Sequence, residues 1–243
     1  MKLSNQRITL VTGANKGLGF EIARQLGKQG HTVLVGARNA ERGERAAATL
    51  HGEGLDAHFM LLNVTDDAMV AAVAATIGER FGKLDVLVNN ASMGIDELPP
   101  SQLPIDSLRL TLETNVIGAV QLIQAMLPLL RQSDAARIVN MGSGLGSLTF
   151  TSDPNNNRSD YRILAYSASK AALHAVTVQF ANELEDEGIK VNAADPGFAP
   201  TDMTGHQGSN SIEEGAVPAV RLATLAADGP TGGFYNIDGQ TPW

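Results

Sequence analysis

Short apolar runs rich in β-branched residues recur along the chain, each closed by a glycine or polar turn and followed by a longer stretch of helical period. Arg7 to Thr12 (RITLVT) runs into Gly13 and predicts a buried strand. From Gly17 to Gly30, Leu18, Ile22, Ala23 and Leu26 fall on one helical face. Thr32 to Gly36 predicts a second strand, and Glu41 to Leu50 an alanine-rich helix. His58 to Leu62 predicts the third strand, and Asp66 to Phe81 a helix capped by Thr65 or Asp66. Leu84 to Val88 is the fourth strand, Ile105 to Leu130 one long helix, and Arg137 to Met141 the fifth strand. Tyr161 to Glu187 predicts another long helix, Lys190 to Ala194 the sixth strand, Ser211 to Ala227 a helix, and Gly233 to Ile237 the seventh strand.

Strands alternating with helices of this length imply βαβ units and a parallel sheet. Because the strands are continuous apolar runs, both faces of the sheet should be covered by helices. The expectation is an α/β protein, a single doubly wound Rossmann-type domain over residues 1–243 with a seven-stranded parallel sheet. The polar stretch Ser152 to Asp160 reads as a surface loop within it.

Composition narrows the function classes. The 243 residues are 43 % hydrophobic, enough for one large core. A net charge of −8 argues against a nucleic-acid surface. The absence of cysteine excludes disulfides, thiolate metal sites and cysteine nucleophiles. The five histidines are scattered, so no metal site is expected, and Asn157-Arg158-Ser159 is a glycosylation sequon without an export signal before it. Met1 to Gln6 is short and polar, and Val116 to Leu130 is interrupted by Gln121, Gln124 and Pro128. Neither predicts a leader or a membrane span, and a cytoplasmic protein is expected.

Thr12 to Gly19 (TGANKGLG) joins the first strand to the first helix. Glycines there permit a tight turn, and the helix N-terminus offers free N–H groups to a phosphate. Gly13, Asn15, Lys16, Gly17, Leu18 and Gly19 are therefore candidates for holding a dinucleotide pyrophosphate. An NAD site expects a carboxylate at the end of the second strand, to bind the ribose hydroxyls. Here that place holds Arg38, with Lys16 in the loop. Two cations and no acid favour a 2′-phosphate, hence NADP(H).

Tyr166 and Lys170, in Tyr-Ser-Ala-Ser-Lys, stand four residues apart on a predicted helix. That spacing puts both on one face, roughly 5–6 Å apart at Cβ. A cation beside a phenol favours the phenolate, so the Tyr166 pKa should fall and make it an acid–base group.

These motifs, in this order and over nearly the whole chain, resemble the short-chain dehydrogenase/reductase family, and within it the NADPH-dependent carbonyl reductases. TGANKGLG and Pro196 to Met203 (PGFAPTDM) carry the closer likeness. The resemblance implies a catalytic set of Asn115, Ser143, Tyr166 and Lys170. Tyr166 would exchange the proton, and Lys170 would tune it and bind the nicotinamide ribose. Ser143 would position the carbonyl, and Asn115 would hold a water leading to Lys170. Asn63, Val64 and Asn90 would contact the cofactor, and Pro196, Gly197 and Thr201 its carboxamide. Segments 144–165 and 198–212 would form the substrate cleft. Met93, Leu145, Phe150, Phe198 and Met203, with Ser143 and Tyr166, are the candidate substrate contacts. The expected reaction is hydride transfer from NADPH to a ketone or aldehyde. A 3-oxoacyl-thioester reductase shares every motif, and a non-catalytic NADP(H)-sensing protein is the alternative from another class.

The chain departs from the family pattern at Ser92 (after Asn89-Asn90-Ala91), Asn63, Gly142 and Asp195, none of them in the catalytic set. The stretch between Ser143 and Tyr166 is longer than in the common bacterial reductases, yet shorter than in monomeric carbonyl reductases. The resemblance therefore implies a homo-dimer or homo-tetramer built through the two long helices.

Overall fold

The computed structural model describes residues 6–94, 98–156 and 162–243. The sequon and the predicted helix start at Tyr161 lie outside them. Seven strands are β1 (Ile8–Thr12), β2 (Thr32–Ala37), β3 (Ala57–Leu61), β4 (Val86–Asn89), β5 (Arg137–Met141), β6 (Lys190–Ala194) and β7 (Phe234–Tyr235). They form one parallel sheet in the order β3-β2-β1-β4-β5-β6-β7. The order reverses between β1 and β4, and the crevice at that point, outside the strand C-termini, is where such sheets bind ligands.

Side-chain alternation sorts the core into two layers. Leu10, Leu34, Leu87, Ile138 and Val191 point to one face, where α3 (Asp67–Phe81), α5 (Gly118–Leu130) and α7 (Leu164–Leu184) supply Val73, Ile77, Leu122, Met126 and Leu184. Val11, Val33, Val35, Val86, Val88 and Val139 point to the other, against α1 (Gly17–Lys28), α2 (Ala40–Gly52) and α8 (Ile212–Ala223). Both sides of each strand are thus buried, which explains the unbroken apolar runs. Helix starts are chemically marked: Asn39 caps α2, Asp66 caps α3 and Ser211 caps α8.

Most predicted boundaries move by a few residues. The predicted Ile105–Leu130 helix is a real change. It is α4 (Ile105–Leu112), a π turn at Glu113–Ile117, and then α5. No periodicity signals the turn, because what fixes it is the inward hydrogen bonding of Asn115. A further helix, α6 (Leu148–Ser152), lies in the 144–165 segment read as loop. By length and hydropathy Ile105–Leu130 could cross a membrane, but it packs on α3 and α7 as a core helix does.

At the N-terminal end of the sheet His31 sits buried, its Nδ1 2.7 Å from Thr9 Oγ1. Burial, helped by the Arg7 charge and opposed by Asp85, pushes its pKa down from 6.5 to about 4. The unfolded chain therefore binds the extra proton across that interval. Stability should rise with pH between about 4 and 6.5 and gain nothing from this group above it. Denaturant midpoints measured from pH 4 to 7 should show this rise, and His31→Gln should flatten it. An unchanged slope in the variant would contradict the assignment.

Candidate active site

The loops after β1, β4, β5 and β6 meet at the switch point. Gly13 and Gly17 both have positive φ, at 63° and 56°, which glycine adopts without strain. A Cβ on Gly19 would lie 2.4 Å from Asn90 Nδ2 and 2.6 Å from the Gly13 carbonyl, so the turn closes only with glycine there. Asn90 holds the loop in place, its Nδ2 donating to the Thr12 carbonyl at 2.8 Å. The N-terminus of α1 has no side-chain cap and no acid in its first turn, so its N–H groups remain available to an anion.

Beside this loop is a cavity of about 350 Å³ lined by Asn15, Lys16, Phe20, Arg42, Arg45 and Thr49. Its cations and the free helix end fit a phosphorylated nucleotide. Arg38 is exposed past the end of β2 and is not among the lining residues. Arg42 and Arg45, on α2, are among them. They were missed in the sequence because their signal, two arginines three apart on α2, is common on exposed helix faces. Lys16 forms an ion pair with Asp202, in a 3₁₀ turn at Asp202–Thr204. Asn63 accepts from Thr65 Oγ1 at 3.2 Å, and Val64 is buried against Gly118.

Asn115, inside the π turn, spends its whole amide on structure. Its Oδ1 accepts from Met93 N at 2.9 Å, and its Nδ2 donates to Met93 O at 2.8 Å and Ser169 Oγ at 2.9 Å. The amide thus fixes the chain after β4 to α7. Adjacent Gly94 lies over the Tyr166 ring, where a Cβ would come within 3.3 Å.

Tyr166, Ser143 and Lys170 come together as the sequence predicts. The Tyr166 side chain is hydrogen-bonded to that of Ser143. Lys170 is buried, with Nζ 5.4 Å from the Tyr166 ring centroid and donating to the Met141 carbonyl at 2.7 Å. Burial pushes the lysine down to about 8, and nearby Asp195 opposes this. The predicted fall of the Tyr166 pKa is not what the structure gives. Burial raises the phenol to about 12, against the lowering contact from Ser143, with Asp195 pushing the same way as burial. Removing the phenolate from water outweighs its favourable neighbours.

The remaining candidates follow the C-terminal ends of adjacent strands: Met93 after β4, Leu145 and Phe150 after β5, and Pro196, Gly197, Phe198, Thr201 and Met203 after β6. Phe198 and Met203 are exposed, and the other apolar three are half-buried. Of the 144–165 cleft segment, residues 157–161 lie outside the described part. Among the described residues, no cluster of three or more His, Asp or Glu converges as a metal site.

A doubly wound sheet with a glycine loop at its switch point and a buried Tyr/Lys/Ser group beside it defines a nucleotide-dependent oxidoreductase. The sequence profile of the family described as short chain dehydrogenase matches residues 7–211, and this chain belongs to that family. Among its relatives, the short-chain dehydrogenase anuI of Penicillium roqueforti is 39 % identical, covering 89 % of this chain and 88 % of its own. The carbonyl reductase (NADPH) 1 of Sus scrofa is 32 % identical, covering 99 % and 95 %. The NADPH-bound carbonyl reductase from chicken fatty liver superposes with a TM-score of 0.87 at 27 % identity, covering 98 % of this chain and all of that one.

Gly146 lets the Ser143 loop press onto α7, since a Cβ there would lie 2.7 Å from the Lys170 carbonyl carbon and Cβ. Both are parts that cannot swing away, so Gly146→Ala should destabilise by about 1–3 kcal/mol through overpacking. A thermal melt indistinguishable from the unmodified protein would show that the loop has slack.

Proposed function

We propose that this protein reduces a ketone or aldehyde to an alcohol with NADPH. The observation that carries the reading is the Tyr166–Ser143 hydrogen bond with buried Lys170 beside it, on the same chain as a cation-lined cavity at the glycine loop. NADPH bound there would supply the hydride. Gly13, Gly17, Gly19 and the α1 N-terminus would hold its pyrophosphate, and Asn63, Val64, Asn90, Pro196, Gly197 and Thr201 would line the rest of its path. Lys16, Arg42 and Arg45 would meet the 2′-phosphate, with Arg38 at the margin.

The Ser143 and Tyr166 hydroxyls are within hydrogen-bond distance of each other, so a carbonyl oxygen placed beside them could meet both and be stabilised as charge develops. A phenol whose pKa is raised keeps its proton at neutral pH. That suits delivery of the proton to an alkoxide, a far stronger base, and so favours the reductive direction. Lys170 sets the charge behind the phenol, and Asn115 holds Met93 and Gly94 over it. The half-exposed apolar residues Met93, Leu145, Phe150, Phe198 and Met203 support an alkyl or aryl substituent on the carbonyl.

Association as a homo-dimer or homo-tetramer belongs to the same reading. Ile105, Leu110 and Ile117 on α4 and the π turn are at least half exposed and offer an apolar face.

The test is oxidation of NADPH and NADH against aryl ketones, ketoesters, an aldehyde and an acetoacetyl thioester. NADPH-dependent turnover of free ketones is expected, and activity confined to the thioester would move the assignment to 3-oxoacyl-thioester reduction. Tyr166→Phe should lose at least about a hundredfold in kcat, the scale of a lost general acid, while NADPH binding stays nearly unchanged. Near-normal turnover would remove Tyr166 from the chemistry. Tight NADPH binding with silence across the panel would favour a sensor. Arg42→Ala should weaken NADPH binding about tenfold and leave NADH untouched, as expected for one charge-assisted phosphate contact. Equal weakening of both cofactors would place Arg42 elsewhere.

A further inference from the structure

One buried histidine stands directly behind Ser143, and neither the catalytic set nor the cofactor path uses it. His174 lies one turn beyond Lys170 on α7 and is 4 % exposed. Its ring is packed against Phe234 (centroids 4.3 Å apart) and Trp243 (5.0 Å), and those two rings stack on each other at 12°. Its Nε2 lies 3.4 Å from the backbone N–H of Ser143, which donates to it. The space is reserved for this ring. A Cβ on Gly142 would come within 2.6 Å of Nε2, so Gly142 and His174 fit as a pair.

The ring is held neutral, which makes it an acceptor. Burial, and after it the Lys170 charge, lowers its pKa to about 4, against a raising contact from the Gly146 backbone. Accepting the Ser143 N–H takes the tautomer with a lone pair on Nε2 and the proton on Nδ1, a buried nitrogen with no hydrogen-bond partner among the described residues. An apolar side chain could pack against Phe234 and Trp243, but would not give the Ser143 N–H an acceptor at this position. On its other side Ser143 is fixed by its carbonyl, which accepts from Gly146 N at 2.9 Å. The histidine supplies the second anchor.

We propose that His174 is a positioning residue: by accepting the Ser143 N–H it sets the backbone from which the Ser143 hydroxyl meets Tyr166 and the substrate carbonyl. The proposal rests on the reading of this site as a carbonyl reductase. It requires an acceptor at this position, not an ionisable group. His174→Gln keeps an acceptor, and His174→Leu keeps only bulk.

The experiment measures kcat and KM on the best ketone of the panel and the NADPH dissociation constant. His174→Leu should lower kcat about tenfold, the scale of one unmet buried hydrogen bond, with NADPH binding unchanged. His174→Gln should recover kcat to within about threefold of the unmodified enzyme. Unchanged kcat in the leucine variant overturns the proposal. Equal losses in both variants, or a loss accompanied by weakened NADPH binding, assign His174 to packing and overturn it too. If the leucine variant does not fold, Gly142→Ala tests the same contact by displacing the ring, and an unaltered kcat there counts against it. An unmodified enzyme that turns over no carbonyl overturns the reductase reading itself, an outcome distinct from a working enzyme indifferent to residue 174.

Discussion

The ammonium of Lys170 is 2 % exposed, and much of the site follows from keeping it there. A buried cation is costly unless its donors are met. The Met141 carbonyl, at the C-terminal end of β5, meets one of them, and the nearby Asp195 charge favours the protonated form. To reach that carbonyl, α7 must press against the loop leaving β5, and Gly146 gives the room. The same approach brings Tyr166 to Ser143 and carries His174 behind Gly142. One helix, placed by one buried charge, thus aligns three functional side chains without any of them choosing its own position.

The two ends of the sheet divide the work. At the N-terminal end, Asp85 accepts from Ile8 N at 2.7 Å and from Lys83, while Arg137 is buried and donates to the carbonyls of Leu225 and Ala226. Those polar groups are satisfied by backbone and hold the connections shut. At the C-terminal end, the α1 N-terminus is left without a side-chain cap and glycines replace side chains. Open hydrogen-bonding capacity is left at the end where the glycine loop and the α1 N-terminus lie.

The fold was legible in the sequence because its strands are buried on both faces, which makes their apolar runs continuous and their glycine boundaries sharp. The glycine loop and the Tyr166/Lys170 spacing were legible for the same local reason, since each is a short segment within one or two elements. What was not legible depends on residues far apart in the chain. The π turn is fixed by Asn115 reaching Met93 and Ser169, which no periodicity records. The raised Tyr166 pKa comes from burial by other segments, which the neighbouring lysine alone could not reveal. Arg42 and Arg45 gain meaning only once α2 is folded beside the glycine loop, and His174 only once Phe234 and Trp243 close over it.

The π turn has a geometric corollary. A five-residue turn holds one residue more than regular α-helix would need, and one residue is about 100° of rotation. The buried stripe of α5 (Leu122, Ile123, Met126) is therefore out of phase with that of α4, whose Ile105 and Leu110 face outward. Without the extra residue held at Glu113–Ile117, the helix would run regular through this segment. The Asn115 carboxamide would then turn away from Met93. The course of this helix is thus tied to the direction of one amide.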